Sequence, residues 1–283
     1  MDRIAVIGHP LAHSISPAVY AAAFASAGIE GNTELWDVAP DDLEMHVGRL
    51  RDADVLGASI TAPYKEAIIP LLDSLDETAQ EIGAVNAVSR DGDRLTGHNT
   101  DVSGFERALR EDGAFDPKGK RCTIIGAGGA ARAVAYALVM AQASVVQLAG
   151  HTPKHLEGIT KENRPRTRPG TTITWCHWMD GVFMLELPRA DLLVNCTPAG
   201  TKGSEAEDEP LIDPQFLPAS GLVFDLVYNP PETRLLRDAK AKGARTLSGL
   251  PMLVYQAADA FRLFTRKDPD LAAMRAAAEA ALG

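Results

Sequence analysis

Four short polar motifs in the N-terminal part of the chain carry side chains that could do chemistry together. They are His13-Ser14-Ile15-Ser16-Pro17, Thr61-Ala62-Pro63-Tyr64-Lys65, Val85-Asn86-Ala87 and Asn99-Thr100-Asp101. They supply hydroxyls, an amide, an ammonium and a carboxylate, which are the groups needed to bind a polyhydroxy acid and to move its proton. A glycine-rich turn follows, at Gly126-Ala127-Gly128-Gly129-Ala130. The combination predicts a dehydrogenase with a separate substrate domain.

The glycine-rich turn has the sequence context of a nucleotide site. A short apolar strand, residues 122–125, leads directly into Gly126-Ala127-Gly128-Gly129-Ala130-Ala131, and an alanine-rich helix follows. Glycines here permit a tight turn and let backbone N–H groups approach a pyrophosphate at the helix N-terminus. The alanine at position 131 is a variant that the dinucleotide fingerprint permits. The alternative is a glycine turn that only packs the helix on the strand.

The end of the next strand bears on the choice between NADP and NAD. An acidic residue there would bind a ribose 2′-hydroxyl, and an arginine would pair with a 2′-phosphate. This chain has neither, and its possible phosphate partners are His151, Thr152 and Lys154. We therefore predict NADP as the cofactor, with NAD as the alternative.

Two α/β domains are predicted to position these groups. Strands at residues 3–8, 33–38 and 55–60 alternate with helices and are followed by a hairpin at 85–96, and a second strand–helix alternation begins at residue 122. We predict an N-terminal α/β substrate domain with a mostly parallel sheet, residues 1–101, and a Rossmann-type NADP-binding domain, residues 102–248. Residues 249–283 form C-terminal helices that return to the substrate domain. Residues 161–170 are expected to be a basic surface loop.

Composition excludes several classes of protein. The chain has 283 residues, 46% of them hydrophobic, and a formal net charge of −10, which disfavours a nucleic-acid-binding surface. Its three cysteines lack metal-ligand spacing, so no metal site is predicted. We see no signal peptide and no apolar run that could span a membrane, and we expect a cytoplasmic protein, either a monomer or a homodimer.

Seven ordered motifs resemble those of the shikimate/quinate dehydrogenase family, and the match runs over essentially the whole chain. The motifs are Gly8-His9-Pro10 with His13–Pro17, Thr61–Lys65, Gly83-Ala84-Val85-Asn86, Gly97–Asp101, Asn195-Cys196-Thr197-Pro198-Ala199-Gly200, Asp225-Leu226-Val227-Tyr228-Asn229-Pro230 and Gly249-Leu250-Pro251-Met252-Leu253-Val254-Tyr255-Gln256. The resemblance implies reversible, NADP-dependent reduction of 3-dehydroshikimate to shikimate. The alternatives are a quinate/shikimate or aminoshikimate dehydrogenase that uses NAD, and a cofactor-binding protein without catalysis.

The resemblance also implies a role for each motif residue. Lys65 and Asp101 would be the catalytic pair, and Ser14 and Ser16 would hold the substrate carboxylate. Hydrogen bonds to the rest of the substrate would come from Ser59, Thr61, Asn86, Tyr228 and Gln256. Besides the glycine turn, the cofactor would meet His151, Thr152, Lys154, Asn195, Thr197, Val227, Gly249 and Met252.

Structural roles remain open for several of these residues. Ser16 could cap the helix ahead of Pro17, Asp101 could cap the helix that begins near Thr100, and Lys65 could be a surface lysine. Thr61 could cap a strand end, Asn86 could be a turn amide, and Gln256 could be an exposed polar residue on a helix.

Two positions depart from the family pattern. Ser59 stands where the family has asparagine, and this puts the substrate's ring substituents in question. His151 stands in the place of the family's 2′-phosphate arginine, and this puts the cofactor preference in question.

Overall fold

The computed structural model describes residues 1–178 and 180–283 and confirms the predicted α/β class. The chain divides into two compact units. The first is formed by Met1–Gly104 together with Leu253–Gly283, and the second by Phe105–Met252.

Each unit contains one sheet of six described strands. The strands are β1 (Asp2–Gly8), β2 (Gly31–Asp37), β3 (Val55–Ile60), β4 (Ser74–Leu75), β5 (Ala87–Asp91), β6 (Arg94–His98), β7 (Arg121–Ile125), β8 (Val145–Gly150), β9 (Thr172–His177), β10 (Leu192–Asn195), β11 (Leu222–Asp225) and β12 (Arg245–Leu247). The α-helices are α1 (Ser16–Ala27), α2 (Leu43–Arg49), α3 (Tyr64–Ala67), α4 (Glu77–Ile82), α5 (Asp101–Arg107), α6 (Gly129–Met140), α7 (Pro153–Asn163), α8 (Gly181–Glu186), α9 (Arg234–Lys242), α10 (Leu250–Thr265) and α11 (Leu271–Leu282).

The sheet of the first unit has the strand order β2-β1-β3-β5-β6-β4. Among its described strands, β5 alone runs against the others, because it is antiparallel both to β3 and to β6. The predicted hairpin is therefore present, and Gly92 at its tip adopts a positive φ of 59°. The sheet is mostly parallel, as the strand–helix alternation predicts.

The C-terminal helices pack within the first unit, as predicted. The ring of Phe261 on α10 meets Phe24 of α1 edge to face at 5.3 Å, and Met274 of α11 is fully buried. The helical pattern is interrupted between α10 and α11, where Arg266 adopts a positive φ of 61° and Asp270 caps the second helix.

The sheet of the second unit is entirely parallel in its described strands and has the order β12-β11-β10-β7-β8-β9. Read from the other edge, this is the 3-2-1-4-5-6 order of the Rossmann fold. The predicted Rossmann-type domain is confirmed as a fold.

The prediction of a loop over residues 161–170 is wrong for residues 161–163. Helix α7 continues to Asn163 and is followed by a 3₁₀ turn, Arg164–Arg166. Leu156, Ile159 and Asn163 of α7 are buried, so a helical spacing of buried residues continues to Asn163. The basic, proline-rich composition of residues 161–170 obscures this spacing.

No helix in the described ranges is long and apolar enough to cross a bilayer.

Candidate active site

In the first unit, the polar motifs meet at one edge of the sheet. The carboxyl ends of β1, β3 and β6 share this edge, and the start of the reversed strand β5 lies there too. The backbone N–H of Thr61 donates to Ile7 O at 2.9 Å, and the N–H of Asn86 donates to His98 O at 3.0 Å. Residues far apart in sequence are thus tied to neighbouring strand ends.

Lys65 and Asp101 form an ion pair at this edge. Lys65 Nζ lies 2.5 Å from Asp101 Oδ2, and the two side chains are 17% and 6% exposed. A carboxylate this deeply buried needs a charged or hydrogen-bonding partner, and the ammonium supplies one. Lys65 is therefore not a free surface lysine. Its ammonium is held in a fixed place while part of the side chain stays open to solvent.

Asn86 holds the second oxygen of Asp101. Asn86 Oδ1 accepts the backbone N–H of Thr100 at 2.6 Å, and this fixes the orientation of the amide. Its Nδ2 therefore faces Asp101 Oδ1 at 3.0 Å, Thr100 Oγ1 at 2.9 Å and Gln256 Oε1 at 3.2 Å. Asn86 is buried and connects Thr100, Asp101 and Gln256 through its hydrogen bonds, so it is not merely a turn amide.

Asn99, to which the sequence patterns assign no separate role, fixes the start of α5. Its Oδ1 accepts the backbone N–H of Asp101 at 3.1 Å, and its Nδ2 donates to Ala84 O at 2.9 Å. Asn99 thus holds the backbone of Asp101, while Lys65 and Asn86 bind its carboxylate.

Gln256, on α10, accepts a hydrogen bond from Asn86. Its Nε2 donates to Leu253 O at 3.0 Å, which turns Oε1 toward Asn86. The backbone O of Gln256 also accepts a hydrogen bond from Thr100 Oγ1 at 3.0 Å. The alternative of an exposed helix residue is wrong, since Gln256 is half-buried.

Ser14 and Ser16 form a hydroxyl pair at the start of α1. Ser14 Oγ donates to Ser16 Oγ at 3.2 Å and accepts the Ser16 backbone N–H at 3.3 Å. Ile15 occupies the N-cap position and no side chain caps it, so the predicted alternative of a Ser16 cap is wrong. Two half-buried hydroxyls at a helix N-terminus suit a carboxylate.

The loop that carries the two serines is fixed by Asp37 at the end of β2. Its Oδ1 lies 2.6 Å from His9 Nδ1, and its Oδ2 accepts the backbone N–H of Leu11 at 3.1 Å. These hydrogen bonds, the one with His9 foremost, lower the pKa of Asp37 below its ordinary value. Asp37 therefore stays ionised and keeps both hydrogen bonds to the loop.

Ser59 is buried, and its Oγ lies 2.6 Å from the phenol oxygen of Tyr20. Tyr20 was not among the residues that the sequence predicted for the site. The available signal was its position one helical turn after Ser16 on α1, which places both side chains on one face of the helix.

In the second unit, the glycine-rich turn has the geometry of a pyrophosphate cradle. Gly126 has a φ of +120°, and a Cβ there would come within 3.2 Å of the Cys196 backbone, so both conformation and space require glycine. The position of a Cβ on Gly128 is open space.

Helix α6, which follows the turn, supplies backbone N–H groups as hydrogen-bond donors. Gly128 O accepts the backbone N–H of Arg132 at 3.1 Å, and the N–H groups before Arg132 at the start of α6 have no intrahelical partner. The turn of Gly126, Ala127, Gly128, Gly129 and Ala130 therefore fits the phosphates of a dinucleotide.

Asn195 at the end of β10 is fully buried and organises the loops around it. Its Oδ1 accepts the N–H and hydroxyl of Thr197, at 2.9 and 2.7 Å, and its Nδ2 donates to Asp225 Oδ1 at 2.9 Å. Asp225 also accepts the Val227 N–H at 3.1 Å and the Thr233 hydroxyl at 2.6 Å. Burial raises the pKa of Asp225 to about 6. Asn195 therefore shapes the loops that present Thr197 and Val227.

The remaining predicted site residues of the second unit follow other strands of its sheet. His151, Thr152 and Lys154 are exposed after β8, and the His151 ring lies 5.7 Å from that of Trp178. Gly249 packs so closely on Leu226 that a Cβ would lie 2.0 Å from Leu226 O. Met252 is buried and Tyr228, on the loop after β11, is half-buried.

No group of three or more His, Cys, Asp or Glu side chains in residues 1–178 and 180–283 could hold a metal ion.

These features define the class of the protein. A Rossmann unit with a glycine-rich turn, together with an α/β unit that presents a lysine–aspartate pair, is the make-up of a two-domain NAD(P)-dependent dehydrogenase. Residues 6–88 match the family model described as the shikimate dehydrogenase substrate binding domain, and residues 249–279 match the shikimate 5'-dehydrogenase C-terminal domain. The chain belongs to the shikimate dehydrogenase family.

Relatives over the full length support this membership. The shikimate dehydrogenase (NADP(+)) of Moorella thermoacetica is 42% identical over 280 residues, which cover 99% of this chain and 93% of that protein. The structure of shikimate 5-dehydrogenase from Thermus thermophilus in complex with NADP(H) and shikimate is 40% identical, covers both chains completely and has a TM-score of 0.86. Quinate dehydrogenase from Corynebacterium glutamicum in complex with NAD is 34% identical over 98% of each chain, with a TM-score of 0.85.

Proposed function

We propose that this protein catalyses the reversible, NADP-dependent reduction of 3-dehydroshikimate to shikimate, a reaction of chorismate and aromatic amino-acid biosynthesis. The observation that carries the proposal is the Lys65–Asp101 pair with Asn86 behind it. The Thermus thermophilus enzyme, 40% identical over the whole chain, has a structure with NADP(H) and shikimate.

Lys65 and Asp101 move the proton of the reacting oxygen. The nicotinamide, when bound, supplies the hydride for reduction and takes it back for oxidation. Lys65 Nζ donates its proton to the oxygen of the substrate carbonyl as that oxygen gains negative charge. Asp101 holds the ammonium in place and stabilises its charge. In the reverse direction, the same nitrogen accepts the hydroxyl proton.

The other motif residues of the first unit bind the substrate. Ser14 and Ser16 hold its carboxylate through their hydroxyls, at the positive end of α1. Thr61, Asn86 and Gln256 bind the ring hydroxyls. Tyr228, on the second unit, is proposed as a further substrate contact.

The second unit binds the cofactor. We assign the glycine-rich turn to the pyrophosphate, and Thr197, Val227, Gly249 and Met252 to the ribose and nicotinamide. Asn195 acts through the loops that it organises. His151, Thr152 and Lys154 bind the 2′-phosphate.

A second candidate is a quinate/shikimate dehydrogenase that uses NAD. Residues 151–154, which directly follow β8, include neither the arginine that would pair with a 2′-phosphate nor an acidic residue that would bind a 2′-hydroxyl. The quinate dehydrogenase of Corynebacterium glutamicum, whose structure holds NAD, is 34% identical to this chain.

Steady-state kinetics with shikimate and quinate, each with NADP and with NAD, separate the two candidates. We expect the highest kcat/KM for shikimate with NADP. A higher value for quinate with NAD would establish the second candidate instead. Cofactor binding without turnover of either acid would point to a cofactor-binding protein without catalysis.

Replacing Lys65 with alanine tests the mechanism. Loss of the general acid should lower kcat by ~10²- to 10⁴-fold while the NADP dissociation constant, measured by fluorescence titration, stays within about two-fold. Lys161→Ala is the control, because Lys161 is an exposed lysine that forms an ion pair with Glu157 at 2.9 Å. Unchanged kcat in Lys65→Ala would remove Lys65 from the mechanism.

We also infer a cytoplasmic location. The three cysteines, Cys122, Cys176 and Cys196, are thiols and not disulfides, which suits a reducing compartment. Fractionation of the native cells, with the enzyme followed by its activity, tests this inference, and recovery outside the cytoplasmic fraction would contradict it.

A further inference from the structure

Strand β9 is an open edge of the sheet in the second unit. It ends the strand order of that sheet, so among the described strands only β8 pairs with it. The opposite edge strand, β12, has three residues, one of which is the charged Arg245. Strand β9 has six residues, Thr172–His177, with no lysine, proline or bulge among them. Shortness, charge, proline and bulges protect an edge from pairing with another chain, and β9 lacks all four.

The backbone groups of Ile173 and Trp175 point to the open side of β9. The N–H of Thr172 donates to Ser144 O at 2.9 Å, on the side of β8. Successive residues of a parallel strand direct their N–H and C=O groups to opposite sides, so those of Ile173 and Trp175 face away from β8. Within the described part of the chain, these groups have no hydrogen-bond partner in the protein. Each copy therefore offers two free donors and two free acceptors along this edge.

The open side of the strand is accessible and partly apolar. A groove of about 280 Å³, lined by Arg164, Thr167 and residues 171–174, runs beside the first half of β9. Trp175 is 37% exposed, although Ile173 on the same face of the strand is buried. A large aromatic side chain at a free strand edge is a typical anchor for an interface between chains.

Helix α8, which follows β9, adds two exposed apolar side chains. Val182 and Leu185 are 67% and 71% exposed, and they lie three residues apart on one face of the helix. Phe183 packs into the core of the unit together with Cys176 of β9, so α8 directs its other face outward. Exposed apolar groups that are close together in this way are typical of a surface that associates.

Charges of opposite sign flank β9. Residues 161–170, before the strand, contain four basic residues and one acidic residue, and Asp180 follows the strand. Arg164, Arg168 and Asp180 are exposed, and within the described part of the chain none of them forms an ion pair. One oxygen of Asp180 accepts the Val182 N–H at 2.8 Å, which leaves the other oxygen for a cation.

We propose that the second unit forms a homodimer in which β9 pairs antiparallel with β9 of a second copy, with Thr174 on the two-fold axis. In this register Ile173 stands opposite the partner's Trp175, and the two residues exchange both of their N–H···O=C hydrogen bonds. The two-fold axis repeats the exchange, so every free backbone group of Ile173 and Trp175 in both copies finds a partner. The two sheets then join into one.

The charges favour a second copy in this orientation. Arg168 and Asp180 each lie six residues from Thr174, on opposite sides of it. The two-fold axis therefore brings Arg168 toward the partner's Asp180 twice in the dimer. A parallel arrangement would instead place like charges together, and it would not close under symmetry. The inference is independent of the proposed function, because the interface includes no residue assigned to substrate or cofactor.

Sedimentation velocity on the full-length protein measures the dimer. An interface built on one strand edge is at the small end of the usual range, so we expect a dissociation constant on the order of 1–10 µM. Trp175→Lys places a charge at the edge and removes the aromatic anchor. This variant should raise the dissociation constant by about 100-fold or more while kcat stays unchanged.

Met140→Lys is the matched control for Trp175→Lys. Met140 is 45% exposed at the end of α6 in the same unit, so the variant introduces the same charge in place of another exposed apolar side chain. The dimer should keep its dissociation constant in this variant.

A cysteine at position 174 tests the register. The backbone groups of Thr174 face β8, so two copies of this residue would form a non-hydrogen-bonded pair, with Cα atoms about 4.5 Å apart, which a disulfide can span. Thr174→Cys should therefore form a disulfide between copies under mild oxidation, seen on a non-reducing gel. Ser204→Cys, at an exposed loop position of the same unit, is the control and should form far less.

The charge pair is tested by Arg168→Ala and Asp180→Asn. Asparagine keeps the cap of α8 and removes the charge. Each variant should raise the dissociation constant by about three- to ten-fold, because two exposed ion pairs are lost in each dimer. The double variant should show no larger effect than either single variant, because each pair needs both residues.

Four results would overturn the inference. They are an unmodified protein that stays monomeric throughout the concentration range, a dimer that Trp175→Lys weakens no more than Met140→Lys does, a Thr174→Cys protein that cross-links no faster than Ser204→Cys, and an unchanged dissociation constant in Arg168→Ala. If Trp175→Lys fails to fold, as judged by circular dichroism, the cross-linking of Thr174→Cys decides.

Discussion

The buried carboxylate of Asp225 predicts that the second unit becomes more stable as the pH falls from neutral toward 5. Burial raises the pKa of Asp225 from 3.8 to about 6. A carboxyl group whose pKa is higher in the folded protein takes up its proton more readily there than in the unfolded chain. Its stabilising contribution is therefore complete below pH 3.8 and is lost as the pH rises through 6.

The size of the effect follows from these two pKa values. Proton linkage gives Asp225 a contribution to the free energy of unfolding that is about 1.4 kcal/mol larger at pH 5 than at pH 7.5. Asp225→Asn removes the titration and keeps an acceptor oxygen for Asn195 and Val227. The difference in unfolding free energy between the original protein and this variant should change by about this amount over the same interval.

Urea unfolding followed by tryptophan fluorescence is the assay. Trp36 belongs to the first unit and the other two tryptophans, Trp175 and Trp178, to the second. A Trp36→Phe background therefore restricts the signal to the unit that contains Asp225. If the two proteins differ by the same free energy at pH 5 and pH 7.5, the reasoning about the buried carboxylate is refuted.

Two further predictions concern the cofactor. Gly126→Ala should weaken NADP binding by about ten-fold or more in a fluorescence titration, because alanine resists the positive φ and its Cβ presses on Cys196; unchanged affinity would contradict the pyrophosphate assignment. His151→Arg should raise the preference for NADP over NAD by about ten-fold in the ratio of dissociation constants, because an arginine makes a bidentate, charge-assisted contact with a 2′-phosphate. An unchanged ratio would place the 2′-phosphate away from position 151.

Local sequence patterns were sufficient for the framework of both units. Apolar runs such as residues 55–60 and 122–125 identify strands, and the glycines around 126 identify the turn between strand and helix. Helix α7 and strand β12 were harder to predict. In α7, charged residues obscure the helical spacing of the buried residues. Strand β12 has only three residues, Arg245–Leu247, of which Leu247 alone is buried.

The hydrogen-bonding networks could be predicted only in part. The motifs point to Lys65, Asp101 and Asn86, but the partners that orient them depend on contacts across many residues. Gln256 meets Asn86 across 170 positions, and Tyr20 meets Ser59 across 39. Tyr20 is one of several buried residues on α1, and its place one turn after Ser16 does not reveal its hydrogen bond with Ser59 on the sheet.

The reversed strand β5 has a consequence for how freely this part of the protein can vary in length. Asn86 and Asn99 lie at the base of the β5–β6 hairpin, next to the paired residues Ala87 and His98, while Gly92 lies at the tip near the opposite edge of the sheet. Residues added or removed in pairs at the tip would lengthen or shorten both arms without shifting the pairing at the base. The hairpin is thus a spacer whose tip can accept insertions, tags or new loops while the reacting groups keep their positions.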